Sequence, residues 1–247
     1  MRESLGYVLL SRPTAEADMA LKSNQLTPNL TQLTKFGLMN AYLVREDDGF
    51  TLVDTTMGAA RDLIAAATDA GAQIRRIAVT HGHGDHVGSV DQLREKLGPD
   101  VPFLVPEVDV QILAGDRSAV PGVQRGSWPK LKTSPDQLLQ AGDRVGSLEV
   151  LATPGHTPGH IAFRDVRDNS LIIGDTFHSI GGLTVPSYFS LPFPLPWVGT
   201  CDRAQVLESA KSLAALEPSL AVVGHGPAVR DPQAAMAKAI ATADQKA

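Results

Sequence analysis

The most constraining feature of this 247-residue chain is a short run of metal-ligating side chains. The run is His81-Gly82-His83-Gly84-Asp85-His86, and it holds three of the seven histidines in the chain. It directly follows residues 77–80, whose apolar and β-branched composition predicts a short buried strand, and it precedes a predicted helix over 89–97. Ligands of α/β folds bind at the carboxyl ends of strands, so the run is predicted to form one side of a ligand site.

Three more candidate ligands follow predicted strands in the second half of the chain. His156 comes after the strand 148–152, Asp175 after the strand 171–173 and His225 after the strand 221–223, each with a glycine immediately before it. Imidazole and carboxylate are ligands that zinc accepts, and small neighbours let the backbone come close to an ion. Seven ligands exceed the four of one tetrahedral zinc and suit two ions about 3.5–4 Å apart. The candidate ligands are His81, His83, Asp85, His86, His156, Asp175 and His225.

Strand and helix patterns alternate along the chain, which indicates two sheets packed face to face with helices outside. A hairpin is predicted over 41–53, and helices over 58–70, 108–114, 200–216 and 232–245. No linker divides the chain, so a single domain over 1–247 is expected. Two long segments lack a pattern, and the loop 115–137 is predicted to be functional. The four prolines between 186 and 197 predict no regular helix or central strand there.

The composition of the chain argues against nucleic-acid and membrane partners. The net charge of −5, without a dense Lys/Arg cluster, argues against a nucleic-acid partner. No apolar run approaches the length of a membrane span, and residues 6–10 are too short for a signal peptide, so no membrane partner is expected. Cys201 is the single cysteine and permits no intrachain disulfide. A cytoplasmic protein with a small-molecule substrate is therefore expected.

At this point the chain resembles the metallo-β-lactamase superfamily over nearly its whole length. The resemblance rests on His-x-His-x-Asp-His at 81–86, on a Gly-His within Thr153-Pro154-Gly155-His156-Thr157-Pro158-Gly159-His160, on Gly174-Asp175 and on Gly224-His225-Gly226. Val53-Asp54-Thr55 also resembles an early strand end of that family. The resemblance implies an α/β (α+β) fold, a four-layer αββα sandwich.

The resemblance also implies the division of the ligands and the chemistry. By analogy, His81, His83 and His156 hold one ion. Asp85, His86 and His225 hold the other, and Asp175 bridges the two. Two cations, expected to be zinc, lower the pKa of a water between them toward neutrality, and the resulting hydroxide attacks an ester-like carbonyl. Asp85 is then expected to act in catalysis by orienting this nucleophile.

Several branches of the family fit the residues less well. True β-lactamases carry Cys or Ser where Asp175 stands. Glyoxalase II-like thioesterases add a helical C-terminal region, for which the residues after His225 are too few, and nucleases add a basic arm. A small-molecule hydrolase of lactones, esters or thioesters is the remaining expectation. His178 resembles in position a substrate-holding Tyr of the lactonases and is a second candidate catalytic residue, with Tyr188 as a weaker candidate for the same role.

Open alternatives remain for the site and for the proline-rich segment. A di-iron redox relative would carry Glu where His83 stands, and a non-hydrolytic metal-binding module would keep the ligands without turnover. The segment 181–199 is rich in Gly, Pro and aromatic residues. It is predicted either to line a pocket for an acyl or aromatic group or to contact a second copy in a homodimer.

Overall fold

The computed structural model describes residues 20–118 and 125–246, in which strands and helices alternate largely as the sequence predicts. The strands of the first half are β1 Lys22–Gln25, β2 Leu30–Lys35, β3 Met39–Glu46, β4 Gly49–Val53, β5 Ile74–Ala78, β6 Phe103–Pro106 and β7 Gln137–Leu139. Those of the second half are β8 Arg144–Val145, β9 Leu148–Ala152, β10 Ile161–Asp165, β11 Ser170–Ile172, β12 Leu220–Val222 and β13 Val229–Arg230. The helices are α1 Ala60–Asp69, α2 Gly84–Val87, α3 Val90–Leu97, α4 Val110–Leu113, α5 Leu195–Gly199, α6 Arg203–Ala214 and α7 Gln233–Lys246.

The strands form two sheets, one for each half of the chain. The seven-stranded sheet has the order β1-β2-β3-β4-β5-β6-β7, and the six-stranded sheet has the order β13-β12-β11-β10-β9-β8. Strands β4 to β7 are parallel neighbours, as are β11 and β12. Parallel strands end at the same edge of a sheet, so the loops that follow them are brought together.

Three apolar layers separate the sheets and helices. Side chains of β3 alternate between them: Tyr42 and Val44 point into the layer between the two sheets, while Ala41 and Leu43 face α1 and α3. On the outer face of the second sheet, α6 and α7 bury side chains such as Val206 against β10 to β12. The predicted four-layer αββα sandwich is thereby confirmed.

Hydrogen bonds tie the two sheets together beside the candidate ligands. The Tyr42 hydroxyl donates to the Val223 carbonyl at 2.6 Å, and the backbone N–H of Ile161 donates to the Thr80 carbonyl at 2.9 Å. Both acceptors lie within two residues of a candidate ligand, so the ends of β5 and β12 are held in register across the sandwich.

The structure corrects the sequence-based elements in two places. The proline-rich segment does contain a short helix, α5, because Pro196 lies in its first turn, where a missing N–H costs no hydrogen bond. Strands β1, β2, β7, β8 and β13 were not predicted, and β1 is fully exposed while β8 and β13 have only two residues each. The expected single domain over 1–247 remains a prediction, because residues 1–19, 119–124 and 247 lie outside the described residues. Residues 6–10, which were judged too short for a signal peptide, are among them.

Candidate metal centre

The candidate ligands come together at one edge of the sandwich, each delivered by the loop that follows a strand. His81 and His83 lie between β5 and α2, and Asp85 and His86 lie on α2 itself. The second sheet contributes the residues after β9, β11 and β12, namely His156, Asp175 and His225. Six of the seven are buried and Asp85 is partly exposed. The structure therefore assembles all seven predicted residues into one cluster.

The first ligand group contains His81, His83 and His156. Their candidate ligand atoms lie within 4.8 Å of one another, and His83 Nδ1 is 3.0 Å from His156 Nε2. Burial is the largest influence on each ring and lowers the pKa of His83 to about 4 and those of His81 and His156 well below the usual range. These imidazoles are neutral at pH 7, which is the form that binds a metal ion.

The second group contains Asp85, His86 and His225, with ligand atoms again within 4.8 Å. Asp85 Oδ2 lies 3.2 Å from His225 Nε2. Burial lowers the pKa of His86, but the nearby carboxylates of Asp54, Asp175 and Asp85 outweigh it and raise that pKa to about 9. Carboxylates surrounding His86 and His225 therefore favour positive charge at this position, which is also the condition for holding a cation.

Asp175 lies between the two groups. One of its carboxylate oxygens is 3.3 Å from His156 Nε2 and 3.2 Å from His225 Nε2, and the other is 3.5 Å from His86 Nε2. Burial would raise the pKa of Asp175, but the positive charges of His225 and His86 hold it well below its usual range. The residue contacts both groups as an ionised carboxylate, which is the geometry expected of a bridging ligand.

A ring of outward hydrogen bonds orients the histidines. Asp54 Oδ2 accepts from His86 Nδ1 at 2.8 Å and from the Thr80 hydroxyl at 2.9 Å, and that hydroxyl is 3.0 Å from His81 Nδ1. His156 Nδ1 contacts the Thr200 hydroxyl at 3.0 Å. Such partners fix which ring nitrogen faces a metal ion. Asp54 is held at φ +60°, a sparsely populated conformation of the kind that clusters at functional sites.

Sequence reasoning missed Asp109, which joins the ligand loops of the two sheets. Its fully buried carboxylate accepts from the backbone N–H of Gly82 and of Gly159 and from the Thr157 hydroxyl, each at 2.9 Å. A Cβ on Gly159 would lie 2.5 Å from this carboxylate. The carboxylate holds the loop of His81 and His83 against the loop of His156. No motif marks it, because it follows an ordinary strand in an unremarkable local sequence.

Three other predicted positions take up surrounding roles. His160 Nε2 accepts from the backbone N–H of Asp175 at 3.0 Å and supports that residue from behind. The His178 ring is buried against Phe193, with ring centroids 5.7 Å apart, and it is not among the residues that line the cavity over the cluster. Tyr188 packs on the apolar layer beneath α6 and α7, with the Lys246 ammonium 4.5 Å from its ring. The catalytic role of His178 stays a prediction.

A cavity of about 430 Å³ opens directly over the cluster. Its floor contains His83, Asp85, His156, Asp175 and His225. Its walls come from the β2–β3 turn, the residue Met57, the loop around Gly126 and the segment 193–199. Both patternless segments of the sequence, 115–137 and 181–199, thus reach the site through their described residues, and the pocket-lining interpretation of the second segment is the one that the structure supports.

The donor set fits metal ions. His81 Nε2, His86 Nε2 and Asp175 Oδ1 are buried, and among the described residues none of these atoms has a hydrogen-bond partner. Buried polar atoms without a partner are costly, so several of them facing one another call for a cation. A Cβ on Gly224 would lie 2.0 Å from Asp175 Oδ1, and only glycine leaves that oxygen free to approach.

Comparison with known proteins agrees with this geometry. The sequence model of the metallo-β-lactamase superfamily matches residues 35–225, which include every candidate ligand. The chain belongs to this superfamily. The family and the cluster of His and Asp side chains together describe a metallo-hydrolase type of site. Among the described residues, no helix is both long enough and apolar enough to cross a membrane.

Three proteins similar to this chain have been described to different degrees. An uncharacterized protein of Bacillus subtilis, YobT, is 39% identical over 85% of this chain and 93% of its own length. A hydroxyacylglutathione hydrolase of Rhodopseudomonas palustris is 32% identical over 62% of this chain, which spans 56% of that enzyme. The crystal structure of TTHA1623 in a di-iron-bound form is 30% identical, covers 86% of this chain and 96% of its own, and superposes with a TM-score of 0.61.

Proposed function

We propose that the protein is a binuclear metal hydrolase that cleaves an ester-like bond in a small molecule. The observation that carries the proposal is a cluster of seven His and Asp side chains beneath one open cavity. Their ligand atoms form three overlapping groups, and Asp175 contacts His86, His156 and His225. A single tetrahedral ion would leave at least three of the seven side chains without a role.

The division of labour follows the two groups. His81, His83 and His156 would hold one ion, and Asp85, His86 and His225 the other, with Asp175 between them. Two divalent ions, which we propose to be zinc, would supply Lewis acidity to the carbonyl and lower the pKa of a nucleophilic water. Asp85 is the partly exposed carboxylate of the cluster and lines the cavity, which supports a role for it in orienting that water.

The class of bond rests on the relatives as well as on the site. The Rhodopseudomonas relative is named for hydrolysis of hydroxyacylglutathione, which is a thioester. Lactones and oxygen esters present the same electrophilic carbonyl. The proposal therefore includes all three, with a common attack on the carbonyl and departure of an oxygen or sulfur.

A second candidate function is a non-hydrolytic or redox metal site. It is favoured by the di-iron form of TTHA1623, which shows that a related chain accepts two irons. His83 argues for hydrolysis in this chain, because an imidazole stands where a di-iron redox relative would present a carboxylate. Iron bound here would still serve as a Lewis acid.

The test combines metal analysis with turnover. Protein reconstituted with zinc, and separately with iron, is assayed on p-nitrophenyl acetate, an unsubstituted γ-lactone and an acyl thioester. We expect about two ions per chain and hydrolysis of at least one substrate. Asp85→Ala and His86→Ala should each abolish turnover while the circular dichroism spectrum is retained.

The matched control is Asp69→Ala, which removes an exposed carboxylate at the end of α1, outside the cavity lining. It should keep full activity and metal content. Full activity in both Asp85→Ala and His86→Ala would overturn the two-metal proposal. Metal-dependent electron transfer without any hydrolysis would support the second candidate instead.

A further inference from the structure

We infer that the substrate carries an uncharged, apolar acyl or aryl group beside its scissile carbonyl, and that this group binds against the outer walls of the cavity. The inference rests on the proposed hydrolytic function and names the substrate class of that site. It follows from two properties of the cavity, the separation of polar from apolar lining and the lack of a Lys or Arg among the lining side chains that the structure describes.

The polar and apolar parts of the lining are segregated. The floor holds the carboxylates and imidazoles of the metal centre. Apart from Gly126 and the polar Ser127, the walls are apolar and come from three separate segments of the chain, with side chains Phe36, Leu38, Met39, Met57, Phe193, Leu195, Pro196 and Val198. A substrate with its carbonyl at the floor therefore has an apolar surface on several sides of its remaining atoms.

Several large apolar side chains of the cavity wall are exposed to solvent. Leu195 is 62% exposed, Val198 50% and Met57 47%, and the turn residues Phe36 and Leu38 exceed 40%. A cluster of large apolar side chains around a cavity mouth is a typical ligand-binding feature. Covering them with an apolar substrate removes this surface from water, and each methylene of such a substrate gains affinity.

The described lining residues include no Lys or Arg. Two cations occur next to lining residues in the sequence, but neither lines the cavity. Lys35 forms an ion pair with Asp62 at 2.7 Å, and Arg125 lies near Cys201 and Arg203, whose pKa values it influences. The ionisable lining side chains other than the histidines are Asp85 and Asp175, and both belong to the candidate metal centre.

A glutathione thioester is therefore expected to be a poor substrate for this cavity. Glutathione carries two carboxylates and one ammonium group, and a buried charge without a partner is strongly disfavoured. The apolar walls of this cavity provide no partner for these groups. A neutral acyl chain or aromatic ring meets no such penalty.

The experiment uses one leaving group and varies only the acyl part. Zinc-reconstituted protein is assayed on p-nitrophenyl acetate, butyrate and hexanoate and on mono-p-nitrophenyl adipate, which matches the hexanoate in carbon number but ends in a carboxylate. We expect kcat/KM to rise at least tenfold from acetate to hexanoate, with an upper limit of about fourfold per methylene. The adipate should be at least tenfold poorer than the hexanoate.

A variant that introduces a positive charge tests the location. Leu195→Arg places a cation on the apolar wall and should narrow the hexanoate-to-adipate ratio at least threefold. Val166→Arg is the matched control, because Val166 is also exposed, at 42%, but lies beyond the far end of β10. The control should leave the ratio unchanged.

Binding of the neutral dye Nile red provides a readout that needs no turnover. Wild-type protein and Val166→Arg should bind it with similar affinity, and Leu195→Arg should bind it several-fold more weakly. Dye binding of this kind without hydrolysis of any ester would contradict the proposed function and leave the apolar cavity supported. Hydrolysis with equal rates on hexanoate and adipate, or a flat chain-length profile, would overturn the inference while the hydrolase assignment stands.

Discussion

The seven-stranded sheet delivers four of the seven candidate ligands from one six-residue stretch, whereas the six-stranded sheet delivers three from three separate strand ends. Residues 81–86 turn from β5 directly into α2, so their relative positions depend mainly on local backbone geometry. His156, Asp175 and His225 lie tens of residues apart and meet only because β9, β11 and β12 belong to one sheet.

The supports of the ligands differ in the same way. In the first half, Asp54 accepts a hydrogen bond from His86, and it also accepts one from the Thr80 hydroxyl, which contacts His81. In the second half, His156 and His225 have one partner each, the Thr200 hydroxyl and the Leu38 carbonyl. The hydrogen bonds of the first half therefore form one connected network. In the second half, His156 and His225 each have a separate partner, and both histidines contact Asp175.

The largest effect is expected from Asp175→Ala, since this residue contacts ligands of both groups. We expect loss of both ions and a fall in kcat of at least about 10³-fold, the scale of removing a principal electrostatic contribution. Metal content by elemental analysis and ester turnover provide the measurements. Asp85→Ala is the comparison: it should lose turnover but retain the ion held by His81, His83 and His156. Retention of two ions by Asp175→Ala would show that Asp175 does not bridge.

Asp54→Asn should produce the next largest effect. Asparagine tolerates a φ of +60°, so the fold is expected to persist. Its amide is uncharged and has one acceptor oxygen instead of two, so it cannot accept from the Thr80 backbone N–H as well as from His86 and the Thr80 hydroxyl. Loss of such an orienting group typically weakens metal affinity by 10- to 100-fold, and we expect about that change in a chelator competition assay. An affinity within twofold of wild type would contradict the connected network of the first half.

Thr200→Val should have a smaller effect of the same kind. The substitution keeps the shape of the side chain and removes two neutral hydrogen bonds, one with His156 Nδ1 and one to the Pro196 carbonyl. Only the first orients a candidate ligand, and a neutral hydrogen bond contributes about 0.5–1.5 kcal/mol. We expect less than a tenfold loss of metal affinity. If Thr200→Val weakened binding as much as Asp54→Asn, the two halves would not differ in the way their hydrogen bonds indicate.

Asp109→Asn tests the link between the halves. An amide can accept from only part of the set formed by Gly82, Gly159 and Thr157, so at least one buried donor loses its partner. We expect the free energy of unfolding to fall by about 1–3 kcal/mol, measured by urea denaturation. The exposed Asp69→Asn is the matched control and should lie within about 0.5 kcal/mol of wild type.

The smallest effect is expected in the pH dependence of stability, compared between wild type and Asp109→Asn. Burial raises the pKa of Asp109 to about 6 despite its hydrogen bonds, above the usual aspartate value of 3.8. The folded state then binds more protons than the unfolded state between these values, so this contribution to stability is complete below about pH 4 and is lost as the pH rises through 6. In metal-free protein, the stability advantage of wild type over Asp109→Asn should shrink across this window. An advantage that grows with pH would give the opposite sign and contradict the raised pKa.

Sequence alone predicted the candidate ligands, because they can be recognised from the type of side chain and from the predicted strand that each follows. The run at 81–86 and the ligands His156, Asp175 and His225 were all named from residue type and from the strands they follow. The alternation of strands and helices also predicted the sandwich, because each buried strand is apolar enough to stand out. The exposed strand β1 and the two-residue strands β8 and β13 carry no such pattern and could not be predicted.

Only the tertiary structure decided how those residues are held and what lies above them. Asp109 joins loops about fifty and thirty residues away in the chain, through backbone donors that leave no mark in the sequence. His178, chosen by position, turns its ring onto Phe193 instead of lining the cavity. The apolar walls come from three distant segments, so their separation from the polar floor exists only once the sheets have packed. The candidate ligands could be named from residue type and position in the sequence, whereas their orientation and the shape of the cavity above them depend on long-range packing.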